Sequence, residues 1–416
     1  MHVLKIAMLC RWYWEENRRT GTEGGGMAQQ VAEAVAALGH EVVVLSQSPL
    51  VTGLEQTQVG KLETWLTPRE KRRDFLTGVR DKLAKQIYHH RKVYSDAYDL
   101  RDFLTRRGPF DVLWAQSEEP DGLVAAIAAQ RAPVPPILTQ IHSLRYKFVA
   151  GVSVFTERPA LGLAFRHATR IIANSELVAG SLTHYAGPDG AGIPLLGKVR
   201  VVHPNLQHEF LNAATERGSA PEPQPASGPG RVLFFGALNE KKGALVFMDA
   251  LRKCQAAKSG AAFVIVGGFT EKNPRFTRRW NESVKAAQDL LGPDRLELLG
   301  KVPSSEAIRQ VRRASLVVVP SLFDEFSRTL VEALILGRPV IATRCVGAWP
   351  IIDTYQCGLV VEPNDSTALA AAIDEASRPG APYAANAGQA SHRLLHEFSP
   401  EATALQLARH LHEIAD

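Results

Sequence analysis

Along the chain, short runs of uninterrupted apolar residues alternate with longer stretches in which apolar residues recur every three or four positions. In the first half the short runs are VLKIAMLC (3–10), EVVVLSQ (41–47), DVLWAQS (111–117), PILTQIH (136–142), RIIANS (170–175) and VRVVHP (199–204). They are apolar throughout rather than on alternate residues, the pattern of parallel strands covered by helices on both faces. Between the first two, MAQQVAEAVAALG (27–39) has helical spacing and a glycine stop ahead of His40.

The alternation breaks at ERGSAPEPQPASGPG (216–230), which carries four prolines and no periodicity and reads as an exposed linker. It then restarts with RVLFFGAL (231–238), AAFVIVGG (261–268), LELLGKV (296–302), SLVVVPS (315–321), PVIAT (339–343) and GLVVEP (358–363), separated by helical runs such as KKGALVFMDALRKCQ and SSEAIRQVRRA. Strands alternating with helices predict an α/β fold with a parallel sheet in each half. The expected organisation is a first domain over 1–215, a linker over 216–230 and a second domain over 231–398, with a ligand cleft between the domains. The closing run, PEATALQLARHLHEIA, is a capped amphipathic helix (399–415) free to pack back on the first domain or on the second.

Composition narrows the class. At 416 residues, 45% hydrophobic and 22% charged, the chain has the size and balance of a globular protein of two or three domains. No apolar run approaches the ~20 residues needed to span a bilayer. The start has neither the length nor the cleavage pattern of a secretory leader, so cytoplasmic residence is expected. Cys10, Cys254, Cys345 and Cys357 form neither a metal ribbon nor a disulfide framework. The net charge of +5 is concentrated: residues 69–92 (REKRRDFLTGVRDKLAKQIYHHRK) hold nine Lys/Arg against three Asp/Glu. Phe75, Val79, Leu83 and Ile87 recur there at steps of four. One reading is a domain helix with a buried stripe and a solvated basic face. The other is attraction to anionic lipid, hence peripheral membrane contact through 69–92, or to a phosphorylated acceptor. No basic patch interleaved with aromatics suggests nucleic acid.

The chemistry concentrates in residues 315–336. A strand ends at Pro320–Ser321, a short loop carries Asp324 and Glu325, and a helix begins near Ser327, a candidate cap. The helix RTLVEALILG is apolar almost all round and therefore buried, which places Glu332 in a poorly solvated position. Such a carboxylate is costly unless paired or hydrogen-bonded. A structural ion pair is one outcome. The functional one is a carboxylate accepting from sugar hydroxyls, leaning back toward a helix N-terminus whose free N–H groups favour phosphate. Asp324 would face the same space.

In order and spacing, GGGMAQQVAEAVAALGHEVVVLS, ILTQIHS, KVRVVHPN, FGALNEKKG and PSLFDEFSRTLVEALILGRPVIAT resemble segments of the retaining glycosyltransferases of family 4. The resemblance implies the GT-B architecture, two Rossmann-like parallel-sheet domains facing an interdomain cleft. It also implies transfer of a hexose from a nucleoside-diphosphate sugar to an acceptor hydroxyl with the anomeric configuration retained. Glu332 then corresponds to the family's contact with the ribose hydroxyls. Asp324 stands where the family has a glutamate on the donor sugar, with Glu325 as the alternative should the loop shift. Lys242 corresponds to the phosphate-binding lysine, Lys241 beside it being read as a solvated neighbour. Gly236, Asn239, Phe326 and Ser327 lie in the donor-binding segments, Ser327 replacing a common glycine. Gly25 and Gly26, with Gly24, match the loop near donor phosphate and acceptor. His142 matches an acceptor-side histidine, and Arg145 follows on the same loop.

The main departure is Ala237, where the family has an arginine on the diphosphate. Losing a charge-assisted bond of ~1.5–3 kcal/mol requires a substitute, and Arg328 at the head of the helix is the candidate. His142, Asp324 and Lys242 are the expected catalytic set. Attack on the donor's front face, with the leaving phosphate taking the acceptor proton, needs no protein nucleophile. No D-x-D motif follows a strand, so metal independence is expected, with no cofactor beyond the nucleotide sugar. A UDP- or GDP-sugar is placed ahead of an ADP-sugar, and the acceptor is a small molecule, a glycan or a lipid-linked group. The competing readings are a nucleotide-sugar epimerase or phosphorylase on the same fold, and a non-catalytic sugar-nucleotide-binding protein with a degenerate site. A nicotinamide oxidoreductase is disfavoured because Gln29 breaks the G-x-G-x-x-G pattern.

Overall fold

The computed structural model describes residues 2–10, 27–48, 55–68, 75–88, 92–117, 121–141, 146–149, 152–155, 159–183, 195, 197–216, 230–270 and 273–416. Two compact units account for it. One comprises residues 1–147, 155–205 and 399–416, the other residues 148–154 and 206–398.

The first unit is built on an eight-stranded sheet of β1 (Lys5–Leu9), β2 (Glu41–Ser48), β3 (Glu55–Val59), β4 (Leu62–Pro68), β5 (Val112–Ala115), β6 (Ile137–Ile141), β9 (Arg170–Ala173) and β10 (Val199–Val201). A separate two-stranded sheet is formed by β7 (Tyr146–Val149) and β8 (Val152–Phe155). The eight-stranded sheet runs β10-β9-β6-β5-β1-β2-β4-β3, parallel except for the antiparallel β3–β4 pair. Every residue of β5 is buried, as a central strand with helices on both faces requires. The sequence runs predict six of these strands. The exception is the β3–β4 ribbon, where EQTQV and LETWLTP carry too many polar residues to read as core strands.

The second unit has six parallel strands, β11 (Arg231–Phe235), β12 (Ala262–Val266), β13 (Leu296–Gly300), β14 (Leu316–Val319), β15 (Val340–Thr343) and β16 (Gly358–Val361). Their spatial order is β13-β12-β11-β14-β15-β16. Counted from β11, that is 3-2-1-4-5-6, the doubly wound Rossmann order, and the strand order reverses between β11 and β14. Layers of apolar side chains cover the two faces of the sheet.

Among the helices, α1 (Met27–Ala37), α2 (Phe75–Tyr88) and α3 (Val93–Arg107) belong to the first unit, and α4 (His208–Thr215) and α5 (Arg328–Ile335) to the second. The last helix, α6 (Pro400–Ala415), returns to the first unit, burying Ala404, Leu407 and Leu411 in one cluster with Val31 and Val35 of α1. The boundary by contacts falls at Asn205/Leu206, ten residues before the expected 215. The reason is that α4 buries Phe210, Leu211 and Ala213 in the second unit's core. Most of the expected linker lies outside the described residues. Among the described residues no helix is long and apolar enough to cross a membrane.

Candidate functional site

The site forms at the carboxyl ends of β11 and β14, where the strand order reverses. After β11 the chain passes through 236–243 into a helix, Ala244–Lys253. Asn239 closes this turn: its Oδ1 accepts from the Lys242 amide at 2.8 Å, and its Nδ2 donates to Thr270 Oγ1 at 2.8 Å. Gly243 ends it in the left-handed region, with φ 69°. A Cβ at Gly243 would stand 1.9 Å from the Pro320 carbonyl oxygen, so only glycine lets the two loops approach this closely. A second close approach lies at Gly267, where a Cβ would stand 1.8 Å from the Gly236 carbonyl oxygen, so the end of β12 also packs tightly beside this loop.

The β14 loop is fixed by backbone on both sides. The Leu322 amide donates to Lys241 O, the Asp324 amide to Cys345 O and the Gly347 amide to Asp324 O, each at 2.8 Å. These bonds bring two charge doublets together. Lys242 Nζ lies 2.6 Å from Asp324 Oδ2, and Lys241 Nζ lies 3.0 Å from Glu325 Oε1. Both acids are buried and both lysines half-exposed. Lys241 is therefore not the solvated neighbour expected of it. Its partner is Glu325, and its ammonium also sits 5.4 Å from the centre of the Phe323 ring. The signal that could have revealed this is the pair of adjacent like charges, Lys241–Lys242 and Asp324–Glu325, each just beyond a central strand.

Asp324 and Lys242 line a pocket of about 140 Å³ together with Gly236, Ala237, Ser321, Ser327 and Thr329. Ser327 precedes α5 at φ 69°, in the left-handed region, which costs a side-chain-bearing residue of the order of 1 kcal/mol. The sequence suggests a side-chain cap here, yet the hydroxyl makes no capping bond. What the position requires is glycine-like backbone. Thr329 brings the first turn of α5, the positive end of the helix, to the pocket wall.

The structure separates other predicted residues from the pocket. Phe326 is buried, with its ring 5.8 Å from that of Phe398, so its side chain is core. Asn239 shapes the lysine turn rather than the pocket wall. Glu332 lies one helical turn beyond Arg328 and is buried, and it is not among the pocket-lining residues. Burial pushes its carboxyl up to about 7, with the Arg328 charge acting in the opposite direction. No other group offsets this cost among the described residues. Gly24, Gly25, Gly26, His142 and Arg145 lie outside the described residues. No set of three or more His, Cys, Asp or Glu placed to hold a metal occurs among the described residues.

Comparison with known proteins covers both units. Residues 24–193 match the family model described as a glycosyl transferase 4-like domain, and residues 229–378 match the one described as glycosyl transferases group 1. A glycogen synthase of Mycobacterium tuberculosis is 24% identical over 400 residues, covering 92% of this chain and 90% of the relative. Among solved structures, a sucrose-phosphate synthase from Thermosynechococcus elongatus superposes with a TM-score of 0.69 at 19% identity. It covers 99% of this chain and 98% of that one. The Anabaena protein Alr3699/HepE, solved in complex with UDP-glucose, superposes with a TM-score of 0.64 at 19% identity over 99% of this chain and all of that one.

Proposed function

Since the chain belongs to the group 1 glycosyltransferases (family 4), with the GT-B architecture of two Rossmann-like domains, we propose that it transfers a hexose from a nucleoside-diphosphate sugar to an acceptor hydroxyl. The configuration is retained and no metal is required. The observation that carries this reading is the Lys242–Asp324 pair at the strand-order reversal, beside the N-terminus of α5.

In this reading the diphosphate lies over the start of α5, where the backbone N–H groups and the Lys242 ammonium meet its charge. Lys242 leaves its bond to Asp324 for the phosphate, and Asp324 then accepts from hydroxyls of the sugar. Both groups line the pocket before the donor arrives, so only the bond between them has to rearrange to meet the departing diphosphate. Arg328 supplies charge that Ala237 does not. Glu332 accepts from the ribose diol, and those hydrogen bonds offset the desolvation that raises its pKa. The acceptor hydroxyl passes its proton to the leaving phosphate, with His142 and Arg145 on the acceptor side. The complex of Alr3699/HepE with UDP-glucose supports a UDP-hexose as the donor class, with GDP-hexose as the second choice.

The experiment is incubation of the full chain with UDP- and GDP-hexoses and a panel of sugar, inositol and lipid-linked acceptors in chelator, with products read by proton NMR. The reading predicts acceptor-dependent release of nucleoside diphosphate, an anomeric coupling matching the donor, and a loss of at least ~10²-fold in turnover for Lys242→Ala. An inverted product, or turnover that survives Lys242→Ala, contradicts it. Isomerised donor without acceptor would favour an epimerase instead.

A further inference from the structure

Large apolar side chains exposed singly, such as Val3, Leu38 and Leu290, are ordinary on a protein surface. Three on one helix face are not. On α2, Leu76 is 65% exposed, Val79 38% and Leu83 53%. At 3.6 residues per turn these three fall within an arc of about 60°. Lys82 flanks that arc on one side and Arg80 on the other, both exposed. The stripe expected to be buried at Val79 and Leu83 therefore faces out.

The opposite side of α2 is what seats it. Thr77 is buried, and Asp81 accepts from the amides of Tyr94 and Ser95 at 2.8 and 3.3 Å and from the Ser95 hydroxyl. Asp81 caps the start of α3 in this way, and it is the one acid that α2 carries. With that acid turned inward, the outer face is an apolar stripe between two cationic shoulders. Arg80 also reaches the Tyr98 hydroxyl at 3.2 Å, which holds its guanidinium at the helix edge.

We propose that α2 seats the protein on an anionic lipid bilayer, with Leu76, Val79 and Leu83 among the acyl chains and Lys82 and Arg80 against lipid phosphates. An apolar face bordered by cations is the make-up of a helix lying in a membrane interface. A second copy of the chain fits poorly, because a two-fold contact through this face would set the Arg80 and Lys82 charges of one copy against those of the other. A nucleic acid fits poorly too, since the exposed apolar residues here are aliphatic and offer nothing for bases to stack on.

The test is co-sedimentation of the full chain with vesicles of phosphatidylcholine alone and of an equimolar mixture with phosphatidylglycerol, at low and high salt. Binding is expected to the anionic vesicles alone and to weaken with salt. Both the triple variant Leu76→Ser/Val79→Ser/Leu83→Ser and the single variant Lys82→Glu should weaken it by about tenfold or more. Should the triple variant lower the unfolding temperature, Lys82→Glu decides, since Lys82 is exposed. The proposal is overturned by no vesicle binding, by equal binding to phosphatidylcholine, or by variants that bind like the parent. A dimer in sedimentation equilibrium that the triple variant abolishes, without vesicle binding, also overturns it and assigns the face to a second copy.

Discussion

Without donor, Glu332 holds its proton up to about pH 7, because burial in α5 disfavours the charged form. Its folded pKa lies above its unfolded one. The stability this contributes is therefore complete below about pH 4.5 and is lost as pH rises toward 7. Glu332→Gln removes the titration, so it should stabilise the donor-free protein by about 1–3 kcal/mol at pH 8 and change little at pH 4. Urea denaturation at the two pH values reads the difference. Equal effects at both would mean that the carboxyl is not desolvated. In the proposed donor complex, hydrogen bonds from the ribose hydroxyls favour the ionised carboxylate, so donor affinity should rise with pH up to about 7 and then level off. The importance of this residue was legible in the sequence as an acid inside an apolar helix. The strained backbone of Ser327 was not, because a hydroxyl ahead of a helix reads as a cap and only its positive φ shows otherwise.

At the scale of elements, the proposed donor site depends on two loops that touch through a missing side chain. Gly243 admits the Pro320 carbonyl and so sets the distance between Lys242 and Asp324. Gly243→Ala forces a methyl group into that carbonyl and strains a left-handed residue. A loss of about 3 kcal/mol or more is expected, with donor binding failing even where the protein remains folded. An unfolding midpoint within error of the parent would show that the loops have room to part. The strands themselves were readable because covered parallel strands are apolar without interruption, as LVVV of β14 is. The β3–β4 ribbon escaped because its two strands, which end the sheet, carry too many polar residues to read as covered parallel strands. The Lys241–Glu325 pairing also escaped, since it joins residues 84 positions apart that only the strand order brings together. Phe326 misled for a different reason: a motif marks a position but does not say whether the side chain faces ligand or core.

At the scale of the molecule, the chain contributes residues 148–154 to its second unit, enters it again at Leu206 and returns to the first at Ser399. The first unit thus depends on the last helix in the sequence. Leu407 of α6 is fully buried in the first-unit core, and Leu407→Ala should cost about 2–5 kcal/mol there. Because Leu407 lies in the first unit and the pocket residues in the second, calorimetry should show the first-unit transition falling while the transition raised by nucleotide keeps its temperature. One transition that falls as a whole would mean that the two units unfold together. The destination of the C-terminal helix was open in the sequence, since its apolar stripe suits either domain.

As a proposed nucleotide-sugar site, the switch-point pocket of the second unit is built around Lys242 and Asp324. The most direct measurement is thermal unfolding of the full chain against a panel of UDP-, GDP- and ADP-hexoses, repeated with Lys242→Ala. A bound donor at 100 times its dissociation constant adds about 2.7 kcal/mol. The account predicts that at least one UDP- or GDP-hexose raises the unfolding temperature of the parent, and that Lys242→Ala, itself folded, loses most of that rise. A panel with no effect on the parent, or a rise that the variant retains in full, would contradict it.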